Sequence, residues 1–215
     1  MTRVYLIRHA AVENPNHILY GHLPGFPLSA FGREQAAELG RRMRESGIRR
    51  IVHSPLERAA ETARIMAAEM ENVELTSDPE LREAEFSRYL QGVPYMQIPI
   101  RRPLWFVHKM RRGLLPGDES IRDLGGRILG VMHRVAKEHP EEVSALVSHA
   151  DPLQAAWVLL EGRPQNEREL YRKPVDRAGV LEVDLDGERV TEVRYIAPPK
   201  REPSAPPGPA EPQPD

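Results

Sequence analysis

Val4-Tyr5-Leu6-Ile7-Arg8-His9 runs from four apolar side chains straight into an arginine and a histidine. A short unbroken apolar run reads as a strand buried on both faces, the kind found in parallel sheets. The same plan recurs twice. Ile51-Val52 leads into His53-Ser54-Pro55 and then Arg58, and Ala145-Leu146-Val147 leads into Ser148-His149 and then Asp151-Pro152. Between these runs lie helical patterns. Ser29 offers an N-cap to a helix with Ala36, Leu39 and Met43 on one face and Gly47 as a stop. Leu56, Ala59, Ala63, Met66 and Met70 recur at spacings of three and four, which predicts an amphipathic helix over 55–70. Further helices are expected over 120–137 and 152–161, and a short strand over 74–76. Residues 179–185 and 189–196, separated by Asp186-Gly187, read as a closing β-hairpin. Strands alternating with helices predict an α/β fold, a three-layer sandwich whose mostly parallel central sheet carries helices on both faces.

Two segments break this rhythm. Residues 84–118 contain Pro94, Pro99, Pro103 and Pro116 and read as irregular. They are also basic and aromatic, with Arg101, Arg102, Trp105, Phe106, His108, Lys109, Arg111 and Arg112. That cluster reads either as a substrate lid or as a solvated helix face. Residues 198–215 hold eight prolines and almost no apolar side chains, a composition that cannot pack a core and predicts an extended tail. The domain expected is therefore 1–197.

The rest of the composition narrows the function. Of the 215 residues, 40% are hydrophobic, enough for one sizeable core. The net charge of −2 offers no general attraction to nucleic acid or to an anionic membrane, so neither is expected as a partner. The chain has no cysteine, which excludes disulfides, thiol catalysis and cysteine-based zinc sites. The apolar run at 4–7 is too short for a leader or a membrane span, and the expected location is cytoplasmic.

Ligands of such sheets sit beyond the carboxyl ends of the strands, which is where Arg8, His9, Arg58 and His149 fall. Ser54-Pro55-Leu56-Glu57 has a capping-box pattern, and Asp151-Pro152-Leu153-Gln154 offers a similar one. Each predicts a helix N-terminus just past a strand end, and helix N-termini favour anions. Two arginines and two histidines around one point suit a tetrahedral dianion such as phosphate. A neutral imidazole can attack phosphorus directly. The arginines supply the positive charge, so no metal and no cofactor are expected.

The ordered blocks through 3–160 resemble the histidine phosphatase superfamily, which includes the phosphoglycerate mutases. The blocks are Leu6-Ile7-Arg8-His9-Ala10; Pro27-Leu28-Ser29 with Gly32-Arg33-Glu34-Gln35-Ala36; Ser54-Pro55-Leu56-Glu57-Arg58-Ala59 with Glu61-Thr62-Ala63; Leu81-Arg82-Glu83; Gly117-Asp118-Glu119-Ser120; and Val147-Ser148-His149. The resemblance implies that His9 becomes phosphohistidine. It implies that Arg8, Arg58 and His149 hold the phosphoryl oxygens, with Asn14 adding a hydrogen bond. It also implies that Glu83 donates the proton to the leaving oxygen. The chain departs from the family pattern at Val12, where a hydroxyl is common, and at Ala150-Asp151, where paired glycines are frequent. The loose match after Glu83 leaves Glu85 as a rival donor.

The expected activity is hydrolysis of a small phosphate monoester. A phosphoglycerate mutase-type phosphotransferase and a non-catalytic phosphate-binding protein of the same fold are the alternatives. A serine hydrolase is disfavoured, because neither Ser54 nor Ser148 sits in a Gly-x-Ser-x-Gly elbow. Substrate identity and the choice between monomer and dimer stay open.

Overall fold

The computed structural model describes residues 1–198. The expected tail therefore lies, beyond its first residue, outside the described residues. Six strands form the central sheet: β1 (Thr2–Arg8), β3 (Ile48–His53), β4 (Glu74–Ser77), β6 (Val143–Ser148), β7 (Val180–Asp186) and β8 (Arg189–Ile196). Their order is β4-β3-β6-β1-β7-β8. The first four run parallel, and β7 joins antiparallel to both β1 and β8. Two further short strands, β2 (Ile18–Leu19) and β5 (Val93–Pro94), pair with each other away from this sheet. The closing hairpin is present, but its turn is Gly187-Glu188 and not Asp186-Gly187: Asp186 still pairs with Arg189, and Gly187 supplies the φ of +61°.

Alternation along β1 explains the layers. Tyr5 and Ile7 face one side and pack with Ala36, Leu39, Met43, Ala59, Ala63 and Met66 from α1 (Ala30–Arg42) and α2 (Glu57–Ala68). Val4 and Leu6 face the other side, against Ile128, Met132, Leu153 and Trp157 from α6 (Ile121–Glu138) and α7 (Ala150–Leu160). Both faces of the strand are covered, so an unbroken apolar run is what the position demands. Gly125 lets α6 approach α7: a Cβ there would stand 2.7 Å from the Ala155 backbone.

Ser29 caps α1 as expected, its Oγ accepting the Gly32 N–H at 3.0 Å. The other two cap expectations are corrected. α2 starts at Glu57 after Leu56, so Ser54 stands two residues ahead of the cap position; its Oγ accepts the Leu56 N–H at 3.3 Å and also contacts His149 at 2.8 Å. α7 starts at Ala150, so Asp151 lies inside the first turn, where Arg112 holds its carboxylate.

The irregular segment is made of short pieces: α3 (Ser87–Leu90), β5, α4 (Ile98–Arg101) and α5 (Leu104–Met110). Phe86, Leu90, Val93 and Ile98 form a small core of their own. A last short helix, α8 (Glu167–Leu170), follows α7. None of the described helices is long and apolar enough to cross a membrane.

Candidate active site

Sheet register builds the site. Arg8 pairs with Ser148 across β1 and β6, and His53 pairs with Val147 across β3 and β6. The chain leaves all three strands at one level. The His9 N–H then donates to Ser148 O at 3.0 Å, and the Ser54 N–H donates to Val147 O at 2.9 Å. These backbone bonds set His9, Ser54 and His149 side by side. The His9 and His149 rings lie 5.1 Å apart.

His9 is 2% exposed. Its Nδ1–H donates to the carbonyl of Ala10 at 2.8 Å, which leaves a lone pair on Nε2. Arg58 Nε donates to that nitrogen at 3.3 Å. Burial and the two neighbouring guanidinium groups of Arg58 and Arg8 hold the His9 pKa well below the usual imidazole value. The ring is therefore neutral at pH 7. Thr62 steadies the turn after it, accepting the Ala10 N–H at 3.1 Å and donating to Arg58 O at 2.7 Å.

Arg58 is 1% exposed, and among the described residues no carboxylate pairs with it. It donates to Gly21 O at 2.8 Å and its guanidinium sits 4.6 Å from the centre of the Tyr20 ring. Arg8 donates to Val175 O at 2.7 Å, and its buried Nε has no partner among the described residues. Burial lowers both pKa values, yet arginine stays charged. The result is two desolvated cations facing one cavity.

His149 is fully buried, and burial followed by the charge of Arg58 lowers its pKa well below the ordinary value. Ser54 Oγ accepts the Leu56 N–H at 3.3 Å, so its own proton can go to His149 Nε2 at 2.8 Å. In that tautomer Nδ1 becomes a donor. Nδ1 is buried with no partner among the described residues, so a bound anion would satisfy it.

Glu83 lines the cavity with Arg8, His9 and Arg58. Its Oε1 accepts the Ala84 N–H at 2.9 Å. Burial, and after it the nearby charge of Asp151, push its carboxyl up to about 7. His22 braces this residue, its Nε2–H reaching the Glu83 carbonyl at 2.9 Å. Glu85 is elsewhere: its carboxylate pairs with Arg88 at 3.0 Å and is absent from the cavity lining. Asn14 is also elsewhere. Its amide bonds the backbone of Ile18 at 2.8 and 3.0 Å, which closes a local loop, and it does not line the cavity.

The cavity measures about 420 Å³ and extends from these residues to the 84–118 segment and α7. Its outer wall contains groups that motif reading passed over. Arg112 donates to Asp151 Oδ2 at 2.7 Å and to the Tyr171 hydroxyl at 2.8 Å, and it pairs with Glu167. Lys109 joins Glu167 at 2.8 Å. Lys109 and Arg112 thus belong to the cavity wall, while Arg101 and Arg111 of the same cluster are exposed. The signals in the sequence were the basic cluster at 101–112, which reads as a lid or a helix face, and Asp151 standing where the family commonly has glycine. Among the described residues no cluster of three or more His, Asp and Glu side chains could hold a metal ion.

The family model for histidine phosphatase superfamily (branch 1) matches residues 4–197. The uncharacterized protein Rv0525 of Mycobacterium tuberculosis is 32% identical over 206 residues, which cover 92% of this chain and 96% of that protein. A Hydrogenobacter thermophilus protein provisionally named as a phosphoserine phosphatase is 29% identical over 195 residues, 89% of this chain and 93% of its own. The solved structure of Bacillus stearothermophilus YhfR superposes with a TM-score of 0.78 at 24% identity, covering 89% of this chain and 95% of that one. The chain belongs to the histidine phosphatase superfamily.

Proposed function

We propose that the protein is a phosphomonoester hydrolase that works through a phosphohistidine on His9. One observation carries the reading: a neutral, buried His9 whose Nδ1–H is tied to a carbonyl and whose Nε2 faces two desolvated arginines. A nucleophilic imidazole needs that tautomer. The arginines and the His149 Nδ1–H take the three non-bridging oxygens of the substrate and stabilise their charge during in-line transfer.

In the first step Nε2 forms a bond to phosphorus and the bond to the ester oxygen breaks. Glu83, protonated, gives its proton to that oxygen and the alcohol leaves. In the second step the Glu83 carboxylate takes a proton from water. The water oxygen bonds phosphorus, the P–N bond breaks, and inorganic phosphate departs. A carboxyl that titrates near 7 can serve both steps. Residues 1–197 act as one catalytic unit on a small phosphate ester, with 84–118 as its substrate-facing insert.

Phosphate release from a panel of monoesters, with His9→Ala as the blank, tests this. The expected result is steady release by the native protein and an acid-labile phosphoryl label that vanishes in the variant. Undiminished release by His9→Ala would end the proposal. Label delivered to a second sugar acid rather than to water would point to a mutase.

A further inference from the structure

The outer wall of the cavity carries two cations, Lys109 and Arg112, matched by Asp151 in the lining and by Glu167 outside it. Arg112, 3% exposed in its side chain, is bonded to Asp151 at 2.7 Å and also pairs with Glu167. Lys109 is bonded to the other oxygen of Glu167 at 2.8 Å and to the Tyr171 hydroxyl at 3.1 Å. The Tyr171 hydroxyl closes the network on Asp151 at 3.2 Å. The charges of this wall sum to zero. His108 adds none at neutral pH: burial and then the charge of Arg112 lower its pKa, and its Nδ1 is bound to Asp118 at 2.9 Å. Among the described residues that line the cavity, the cations without a carboxylate pair are Arg8 and Arg58, at the end where His9 lies; Arg177, whose charge also reaches Arg8 and His9, is outside the lining.

A ligand anion at the outer wall would have to break a buried ion pair to gain a cation, and would stand beside the Asp151 carboxylate. Both are costly in a desolvated site. The uncharged lining of the cavity is mostly apolar, with Ser87 and Tyr95 adding hydroxyls. Leu19, Phe86, Leu90, Ile98 and Trp105 line it, and His108 stacks on Phe86 at 4.3 Å between ring centres. Such a surface favours a flat or apolar body.

We infer that the site takes monophosphate esters whose leaving group is uncharged and carries an aromatic or comparable apolar body, and that it rejects esters bearing a second anionic group. This rests on the hydrolase reading above and adds the substrate class to it. Asp151 is then a specificity-determining residue, because it withholds Arg112 from the ligand.

The test compares phenyl phosphate with 4-carboxyphenyl phosphate on the full chain, in the native protein and in the Asp151→Asn and Glu167→Gln variants. The two phenols leave with similar ease, so a difference reports on the wall. The native protein should prefer phenyl phosphate by about tenfold or more in kcat/KM, mainly through KM. Each variant frees a cation and should narrow that ratio to about threefold or less, by lowering KM for the carboxylated ester. Glu167 does not line the cavity, so its variant reports the charge balance without altering the lining. Equal or better use of the carboxylated ester by the native protein would overturn the inference while leaving the hydrolase reading intact. An unchanged ratio in both variants would also overturn it. No phosphate release from any monoester would overturn the hydrolase reading, and this inference with it.

Discussion

The inner end of the cavity hangs from the carboxyl ends of β1, β3 and β6, whereas the outer end is assembled from short helices that pack on a small core of their own. Around His9 the positioning groups are backbone atoms, Ser148 O, Val147 O and Ala10 O, fixed by sheet pairing that the whole core supports. Around Arg112 they are side chains, Asp151, Glu167 and Tyr171, joined across three segments. Backbone positioning survives changes of neighbouring side chains, while a side-chain network does not. The chemistry should therefore be robust at the inner end, and selectivity should be adjustable at the outer end.

The contrast can be broken most severely by removing a cation from the inner end. Arg58→Ala should lower kcat/KM by about a hundred- to a thousandfold on every ester, since charge on the transferring group loses a preorganised donor. A loss that depended on the leaving group would mean that Arg58 contacts the alcohol instead.

Glu83→Gln should cost less and should discriminate. Alkyl esters should slow by about a hundredfold, because their oxygen needs the proton, while p-nitrophenyl phosphate slows by less than about tenfold. For alkyl esters kcat/KM should fall as pH rises through about 7, where the donor loses its proton, and the variant should lack that limb. The same carboxyl has a stability signature. Its folded-state pKa lies above the ordinary 4.5, so its contribution is fully present below that value and is lost as pH rises through about 7. Melting temperatures of Glu83→Gln and native protein should accordingly shift in favour of the variant between pH 5 and pH 8.

The smallest effect belongs to the outer end. Trp105→Ala removes part of an apolar wall and should raise KM for ring-bearing esters by about two- to tenfold with little change in kcat. A comparable drop in kcat would show that the outer wall also orients the reacting phosphorus, and the division between the two ends would blur.

Much of the inner end was readable because its residues follow short-range rules. Buried strands announce themselves as apolar runs, and the residue after each run must emerge at the sheet edge; His9 and His149 were found that way. Glu83 could be named from its block but not separated from Glu85 by spacing alone. Asn14 could be named near the nucleophile, but its bonds to both backbone groups of Ile18 depend on the fold of the loop between them. Ser54 looked like a cap, because a Ser-Pro-x-Glu pattern favours one, but the helix opens two residues later, at Glu57, and Ser54 serves the Leu56 N–H and His149 together.

By itself the sequence determined the α/β alternation, the three strand ends and the identity of the cations that gather there, since periodicity and strand termination depend on neighbours within a few residues. The tertiary structure alone decided which carboxylate enters the cavity and which tautomer His9 adopts. It also decided whether Arg112 is a free charge or a spent one. Those outcomes depend on desolvation and on partners 39 and 55 residues away, Asp151 and Glu167, and no local pattern encodes such pairings.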